Sequence, residues 1–318
     1  MKNKQSIIAQ QVCQYLQFKR SCGYKFDAPG KELMLFAKYA ELTGHKGPLT
    51  LELAVRWARL PENADRQYWA IRYDHVRRFS QYIILFYPDT EILPKGLLGP
   101  SKRRLPPHIY SEGEIAALLK AASRLTPKNG LNSHTYVTLF GLLLSTGLRI
   151  SEALNLSCEN VDLETGILTI KETKFKKSRF VPVHPSTLQA LRRYSNFKQS
   201  YHPKEESKMF FLNENGTPIN YNGVLYVFIK LSKNLGLRHA GKKPRIHDMR
   251  HSFVARRMLK WYEEGTNLDV KILALSTYLG HVEIRDTYWY LSSVPELLNI
   301  VSERFENFAN HKREGNLI

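Results

Sequence analysis

Between Tyr87 and Pro107 the chain carries Pro88, Pro94, Gly96, Gly99, Pro100, Pro106 and Pro107, and no continuous helix can run through them. Proline lacks an N–H and clashes with the preceding turn, and glycine costs too much backbone entropy to sustain a helix. The 318 residues are therefore expected to form two bodies: a helical domain over 1–90, a linker over 91–106 and a second domain over 107–318. Both lie in the usual domain range of roughly 50–250 residues.

The first domain reads as all-helical. Apolar residues recur at helical spacing in Ile7, Ile8, Val12, Tyr15 and Leu16, in Leu33, Phe36, Tyr39 and Ala40, and in Val76, Phe79, Ile83 and Phe86. Gly44 and Gly47-Pro48 separate the second helix from the third, and Thr50 is placed to cap the third. The polar faces carry Lys19, Arg20 and Lys25, then Arg66, Arg72, Arg77 and Arg78. Any one of these is ordinarily a solvated charge; their common sign points to a phosphate-facing surface. The linker adds Lys102, Arg103 and Arg104, which suits a protein that wraps DNA with a domain on each side.

The second domain opens on Ser111-Glu-Gly-Glu114, a capping box that starts a helix ending near Ala122. An apolar helix over 134–146 stops at Gly147. Residues 166–170 and 179–183 read as strands joined by a lysine-rich turn, with a third strand expected at 209–212 before a turn at Asn215-Gly216. Helices are expected at 221–235, 247–263, 268–278 and 294–310. The fold class is mainly α with a small antiparallel β-sheet.

Lysine and arginine number 47 against 29 acids, a net charge of +18. Such an excess favours a polyanionic partner, nucleic acid above all. The competing partner, a membrane surface, lacks the basic amphipathic helix it would need. No apolar run is long enough to span a bilayer, and the first residues do not read as a signal peptide. Cys13, Cys22 and Cys158 lack metal-ligand spacing and read as reduced core or surface thiols in a cytosolic protein.

The chemistry lies in three segments: Thr146-Gly-Leu-Arg149-Ile-Ser-Glu152, His247-Asp-Met-Arg250-His251, and Leu279-Gly-His281 running on to Tyr290. Phosphodiester cleavage passes through a crowded, charged transition state that fixed cations stabilise. Arginine serves best, since its planar fork binds two oxygens and stays charged. Arg149 and Arg250 are the candidates, and both sit on rigid elements. Glu152, three residues after Arg149, either anchors that guanidinium or is a routine surface acid. His247 and His281 are the acid–base groups available near neutral pH. Tyr290 is the candidate nucleophile, with Tyr288 as its rival. A free phenol is only ~0.1% ionised at pH 7, so it needs cations and a base beside it. Lys171, Lys174, Lys176 and Lys177 crowd the turn between the strands, where a lysine can reach DNA or simply stay hydrated.

As an ordered set, Arg149, Lys174, His247, Arg250, His281 and Tyr290 resemble the tyrosine recombinase (phage integrase) family, over roughly 106–300. Residues 144–156 resemble its first arginine box and 247–253 its second. The run from Leu279-Gly-His281 through Thr287 to Tyr290 resembles its third. Residues 1–90 resemble the family's helical core-binding (SAM-like) domain in pattern. The segment between Arg250 and His281 looks longer than in compact members, and Tyr288-Trp289-Tyr290 is an unusual cluster.

The resemblance implies a site-specific recombinase, from a mobile genetic element, whose two domains clamp duplex DNA. Arg149 and Arg250 would bind the scissile phosphate with help from His281. Tyr290 would attack to give a 3′-phosphotyrosyl link, with His247 as base, Lys174 as acid to the 5′ oxygen, and Glu152 and His251 in support. Neither ATP nor a metal would be required, so no cofactor is expected. Four copies on paired sites, alone or with related recombinases, would exchange strands. Lys19, Arg20, Lys25, Arg72, Arg77, Arg78, Lys102, Arg103, Arg104, Lys176 and Lys177 are the candidate DNA contacts. Three alternatives make different predictions: a silent DNA-binding architectural protein forms no covalent adduct, a type IB topoisomerase relaxes plasmids lacking a target site, and a metal-dependent nuclease fails in EDTA.

Overall fold

The computed structural model describes residues 7–101, 106–171, 178–203 and 207–293, together with 298 and 302. The chain divides into two compact units that meet in sequence at Leu105 and Pro106.

Among the described residues the first unit has four helices: α1 (Ile7–Ser21), α2 (Asp27–Leu42), α3 (Leu51–Arg59) and α4 (Arg66–Ile83). Its core is made by the periodic residues Val12, Leu33, Phe36, Val76 and Phe79, joined by Trp57 and Tyr73. Thr50 caps α3 by accepting the Leu53 N–H, and Asp65 caps α4 by accepting that of Gln67. The start of the proline- and glycine-rich stretch belongs to this unit. Leu93 is buried in its core, the Tyr73 hydroxyl donates to Pro94 O at 2.9 Å, and the Glu91 carboxylate accepts the Leu51 N–H at 2.6 Å.

Two basic residues expected on the solvated face are inside instead. Arg72 lays its guanidinium 3.9 Å from the Trp57 ring centroid, donates to Trp57 O at 3.1 Å and pairs with Glu32 at 3.4 Å. Arg77 pairs with Asp74 at 2.8 Å. Both are buried, because an arginine can pack its stem and planar head against apolar neighbours once its charge is paired. They leave the set of candidate DNA contacts.

The second unit is built around α6 (Leu131–Thr146), which is apolar on nearly all sides and consequently central. Around it lie α5 (Glu112–Ala122), α7 (Ile150–Leu154), α8 (Pro185–Tyr201), α9 (Tyr221–Asn234) and α10 (His247–Glu263). The capping box is present, Ser111 accepting the Glu114 N–H while the Glu114 carboxylate accepts that of Ser111. A small antiparallel sheet runs in the order β1 (Val161–Asp162), β2 (Ile167–Ile170), β3 (Arg179–Pro182), with Leu168 opposite Val181. A further apolar cluster joins α10 to α11 (Leu268–Leu279) and α12 (Arg285–Ser293), through Phe253, Val254, Met258, Ile272, Leu275 and Tyr290.

The sheet departs from expectation at one strand. Residues 210–212 are buried, but the run from Met209 bridges only at isolated points, Met209 with Ser157 and Leu212 with Pro218, so the third strand is Val161–Asp162. The run over 209–212 fills the core and spends its backbone groups on two different neighbours, which leaves none for β2. The turn at Gly216 forms as expected, with φ +76°. The expected helix over 294–310 lies outside the described residues.

Candidate active site

Three guanidinium groups converge on the carboxyl end of α11. Helix α6 stops at Gly147, whose left-handed backbone (φ +63°) turns the chain so that Arg149 begins α7. Arg149 donates to Gly280 O at 3.1 Å, Arg250 to Leu279 O at 2.9 Å, and Arg179 to Tyr278 O at 2.8 Å. The last carbonyls of a helix have no partners within it and carry its partial negative charge, so they are natural acceptors for cations. Arg250 also donates to Gly147 O at 2.7 Å, tying the two turns together.

Glu152 is the counter-ion of this group. Its carboxylate accepts from the Arg149 guanidinium at 2.8 Å, from the Arg149 backbone N–H at 2.9 Å and from Arg179 at 2.8 and 3.0 Å. Burial alone would raise its pKa, but the hydrogen bonds and charge of Arg179, then those of Arg149, override that and bring it down to about 2. The anchoring reading of Glu152 is thus the one its surroundings favour. Arg250 is 3% exposed whereas the Arg149 side chain is 31% exposed, so the pair is seated at the base while one fork faces out.

Gly280, at φ +66°, ends α11 and reverses the chain into His281. A Cβ at this position would stand 2.8 Å from the Arg179 guanidinium, so glycine is needed for close approach as well as for conformation. His281 has its Nδ1 2.7 Å from the hydroxyl of fully buried Thr287. One turn further along α12, the Tyr290 hydroxyl is hydrogen-bonded to Nδ1 of His251 at 2.8 Å. His247, exposed at the start of α10, packs edge-on against His251 with ring centroids 4.7 Å apart.

The electrostatics follow from a buried, cationic setting. Burial, then Arg250 and Arg149, bring His281 down to about 4, and burial with His247, Arg245 and Arg250 brings His251 down to about 3. His247 is lowered by desolvation and then by Arg250 and Arg245, an effect that solvent at its exposed ring weakens. All three rings are neutral at pH 7. Tyr290, 2% exposed, is pushed up to about 12 by burial, against which Arg250 and then Arg149 act. The nucleophile candidate is therefore a neutral phenol at rest, beside the cations that would stabilise its anion. Tyr288, the rival, is 39% exposed.

Arg149, Glu152, His247, Arg250, His251, His281 and Tyr290 thus come together in one unit. Lys174, Lys176, Lys177, Lys102, Arg103 and Arg104 lie outside the described residues. Arg20, Lys25 and Arg78 are exposed on the first unit, and Lys19 is half-buried over the rings of Tyr15, Phe18 and Tyr24. Arg179 was read only as the start of a strand, and its place beside Glu152 is new. A carboxylate buried among cations calls for more than one partner, which is the signal that could have found it.

The model of the phage integrase family matches residues 110–296, more than half of the chain. The chain belongs to the phage integrase family. Family membership makes it an enzyme of the tyrosine recombinase kind, which cuts and rejoins DNA strands. It is 38% identical to a putative integrase/recombinase of Sinorhizobium fredii, over 95% of this chain and 98% of that protein. With tyrosine recombinase XerC of Lacticaseibacillus casei it shares 33% identity over 58% of this chain and 57% of that one. Its fold is that of XerH site-specific recombinase bound to its difH substrate (TM-score 0.63, 18% identity, 95% of this chain and 91% of that one). It is likewise that of the Tn1549 transposon integrase in complex with transposon right end DNA (TM-score 0.63, 17% identity, 93% and 98%).

Proposed function

We propose that this integrase-family site cuts duplex DNA by attack of Tyr290 on a phosphodiester held by Arg149 and Arg250. The reading is carried by one observation: the Tyr290 hydroxyl is buried in the same unit as Arg250, close enough for that guanidinium to oppose the rise that burial imposes on the phenol. The chain supplies its own nucleophile to its own arginines.

Arg149 and Arg250 neutralise the non-bridging oxygens as charge builds in the transition state. Their carbonyl and carboxylate partners are already in place, so little reorganisation is left for the moment of reaction. His281, steadied at Nδ1 by Thr287, turns its other nitrogen to the phosphate as a donor. Glu152 positions Arg149. Attack by Tyr290 gives a 3′-phosphotyrosyl link, and the 5′ oxygen leaves with a proton from Lys174. The hydroxyl of another strand then attacks the link and reseals the backbone. Because the phosphate ester bond is exchanged rather than hydrolysed, no ATP is spent, and the guanidiniums supply the charge a divalent metal would bring. The resemblance assigns the base role to His247.

The exposed Arg20, Lys25 and Arg78, with Lys19 and the basic segments over 102–104 and 174–177, would track the backbone. Four copies on paired sites would carry out exchange in the nucleoid of a bacterial cytoplasm. The solved relatives bound to a recombination substrate and to a transposon end support this reading, as does the recombinase of S. fredii that matches over nearly its full length.

The test is a nicked suicide duplex drawn from DNA flanking the gene, which traps the covalent step. A denaturation-resistant adduct is expected in the presence of EDTA, lost in Tyr290→Phe and kept in Tyr288→Phe. An adduct that survives Tyr290→Phe would remove the nucleophile from this reading.

A further inference from the structure

The histidine that touches the nucleophile is not the one the motif suggested. Nδ1 of His251 is 2.8 Å from the Tyr290 hydroxyl, whereas His247 stacks edge-on against His251 at the exposed start of α10. In the tautomer that carries the ring proton on Nε2, Nδ1 offers its lone pair and the phenol O–H donates to it. His251 sits in the buried first turns of α10, next to Arg250, so its ring is held by the same rigid segment that holds the phosphate-binding cation. Nucleophile, acceptor nitrogen and guanidinium are thereby fixed together.

We propose that His251 is a catalytic residue, the group that takes the phenolic proton of Tyr290 as its oxygen bonds to phosphorus. The proposal deepens the strand-cleavage reading above and rests on it. In the step, the Tyr290 O–H bond breaks and its electron pair forms the O–P bond. The proton passes to Nδ1 of His251. The P–O5′ bond breaks, and the leaving oxygen takes a proton from a separate acid. When another strand's hydroxyl later attacks the phosphotyrosyl link, its proton returns to the conjugate base of that separate acid and the departing phenol recovers the proton from His251, so both groups end as they began.

The surroundings explain why the pair waits for substrate. His251 is faced by Tyr290 and Trp289 of α12, by His247 and Arg250 of its own helix, by Arg245 just before it, and by His281 beyond α11. Burial, then His247, Arg245 and Arg250, disfavour a positive charge on the His251 ring, and burial disfavours a negative charge on the phenol. The resting pair is therefore neutral and inert. A phosphodiester seated on Arg149 and Arg250 brings an opposing negative charge into the same low-dielectric space, so an imidazolium at His251 becomes affordable only when DNA is present.

The experiment compares native protein with H251N, H251A and H247N in single-turnover adduct formation on the suicide duplex, at saturating protein. Asparagine places an oxygen near the Nδ1 position and still accepts the phenol's hydrogen bond, yet it cannot take the proton. Both His251 variants are expected to lose about 10²–10⁴-fold in rate, the span of a general base, and imidazole is expected to restore part of the H251A rate. A duplex with sulfur at the bridging 5′ position, whose leaving group needs no acid, should leave the His251 defect unchanged. H251N cutting within threefold of native would show that the ring only holds the hydroxyl and would overturn the proposal. Recovery of H251N to native rate on the sulfur duplex would do the same, by placing its role at the leaving group. A native protein that forms no adduct on either duplex would instead overturn strand cleavage itself.

Discussion

Glu152 shows how far one side chain reaches in this site. Two guanidiniums, Arg149 and Arg179, are bridged by one carboxylate whose side chain is 5% exposed. Removing its charge in Glu152→Gln leaves those cations facing each other in a dry setting, where breaking a buried pair costs about 3–5 kcal/mol. The variant is expected to lose that much in denaturant unfolding and to cut at least tenfold more slowly at saturating DNA; a variant as stable and as fast as native would show that Arg149 needs no anchor. The buried groups also set the response to acid. The folded-state values of His281 (about 4) and His251 (about 3) lie below the unfolded value near 6.5, so the unfolded chain takes up protons first. Their contribution is complete above pH 6.5 and is lost as pH falls towards 4 and 3, while that of Glu152 is lost later, between about 4.5 and 2. Unfolding free energy measured at pH 7.0, 5.5 and 4.5 should fall by up to ~1.4 kcal/mol per pH unit for each histidine; a flat profile would contradict their burial as neutral rings. The residues whose chemistry is distinctive, Arg149, Arg250, His247, His281 and Tyr290, could be read from type and order alone. Arg179 could not, because its carboxylate partner is 27 residues away and nothing in a strand-opening arginine announces it. His251 was legible as support, but its aim at Tyr290 depends on how α12 docks. Arg72 read as a solvated charge because its contact with Trp57 is purely tertiary.

At the scale of elements, the site is a meeting of helix ends. The amino-terminal turns of α7 and α10 bring Arg149 and Arg250 to the carboxyl-terminal carbonyls of α11, and the turn beyond Gly280 sets both His281 and the start of α12. Gly280→Ala tests this junction. The left-handed backbone would cost about 1–2 kcal/mol, and the new methyl would push against an Arg179 head pinned by Glu152 and by Tyr278 O. The expected outcome is a modest fall in thermal midpoint with a larger loss of adduct formation, at least tenfold, since Arg179 shares Glu152 with Arg149, which the proposed reading places on phosphate. Equal, small losses in both would mean that the turn is merely structural. Element boundaries were legible where a local signal made them: the capping box at Ser111, the stop at Gly147, the cap at Thr50. The third strand was not, because the apolar run Met209-Phe-Phe-Leu212 reports burial and cannot say which backbone it bonds to. A two-residue strand such as Val161–Asp162 leaves almost no pattern to read.

For the whole molecule, the +18 charge and the buried site act on different steps. Proline and glycine over 88–107 marked a division of the chain, yet they hid that Leu93 and Pro94 pack on the helical unit, since a loop's attachment is decided by single contacts. Charge was the most legible property of all, because it needs no fold to be counted. Under the proposed reading, exposed cations such as Arg20, Lys25 and Arg78 would bind phosphates by releasing counterions, so their contribution would fall steeply with salt. Arg250, Glu152 and Tyr290 are buried, and charges in such a site are screened little by ions in solution. Duplex affinity is therefore expected to drop by about 10³–10⁵ between 50 and 200 mM salt if six to ten phosphates are engaged. The rate of adduct formation once DNA saturates the protein should change by less than about threefold over the same range. A chemical rate that tracked salt as steeply as binding would mean that the arginines meet the phosphate in open solvent, and the buried, pre-paired Arg250 and Glu152 would not belong to the site that reacts.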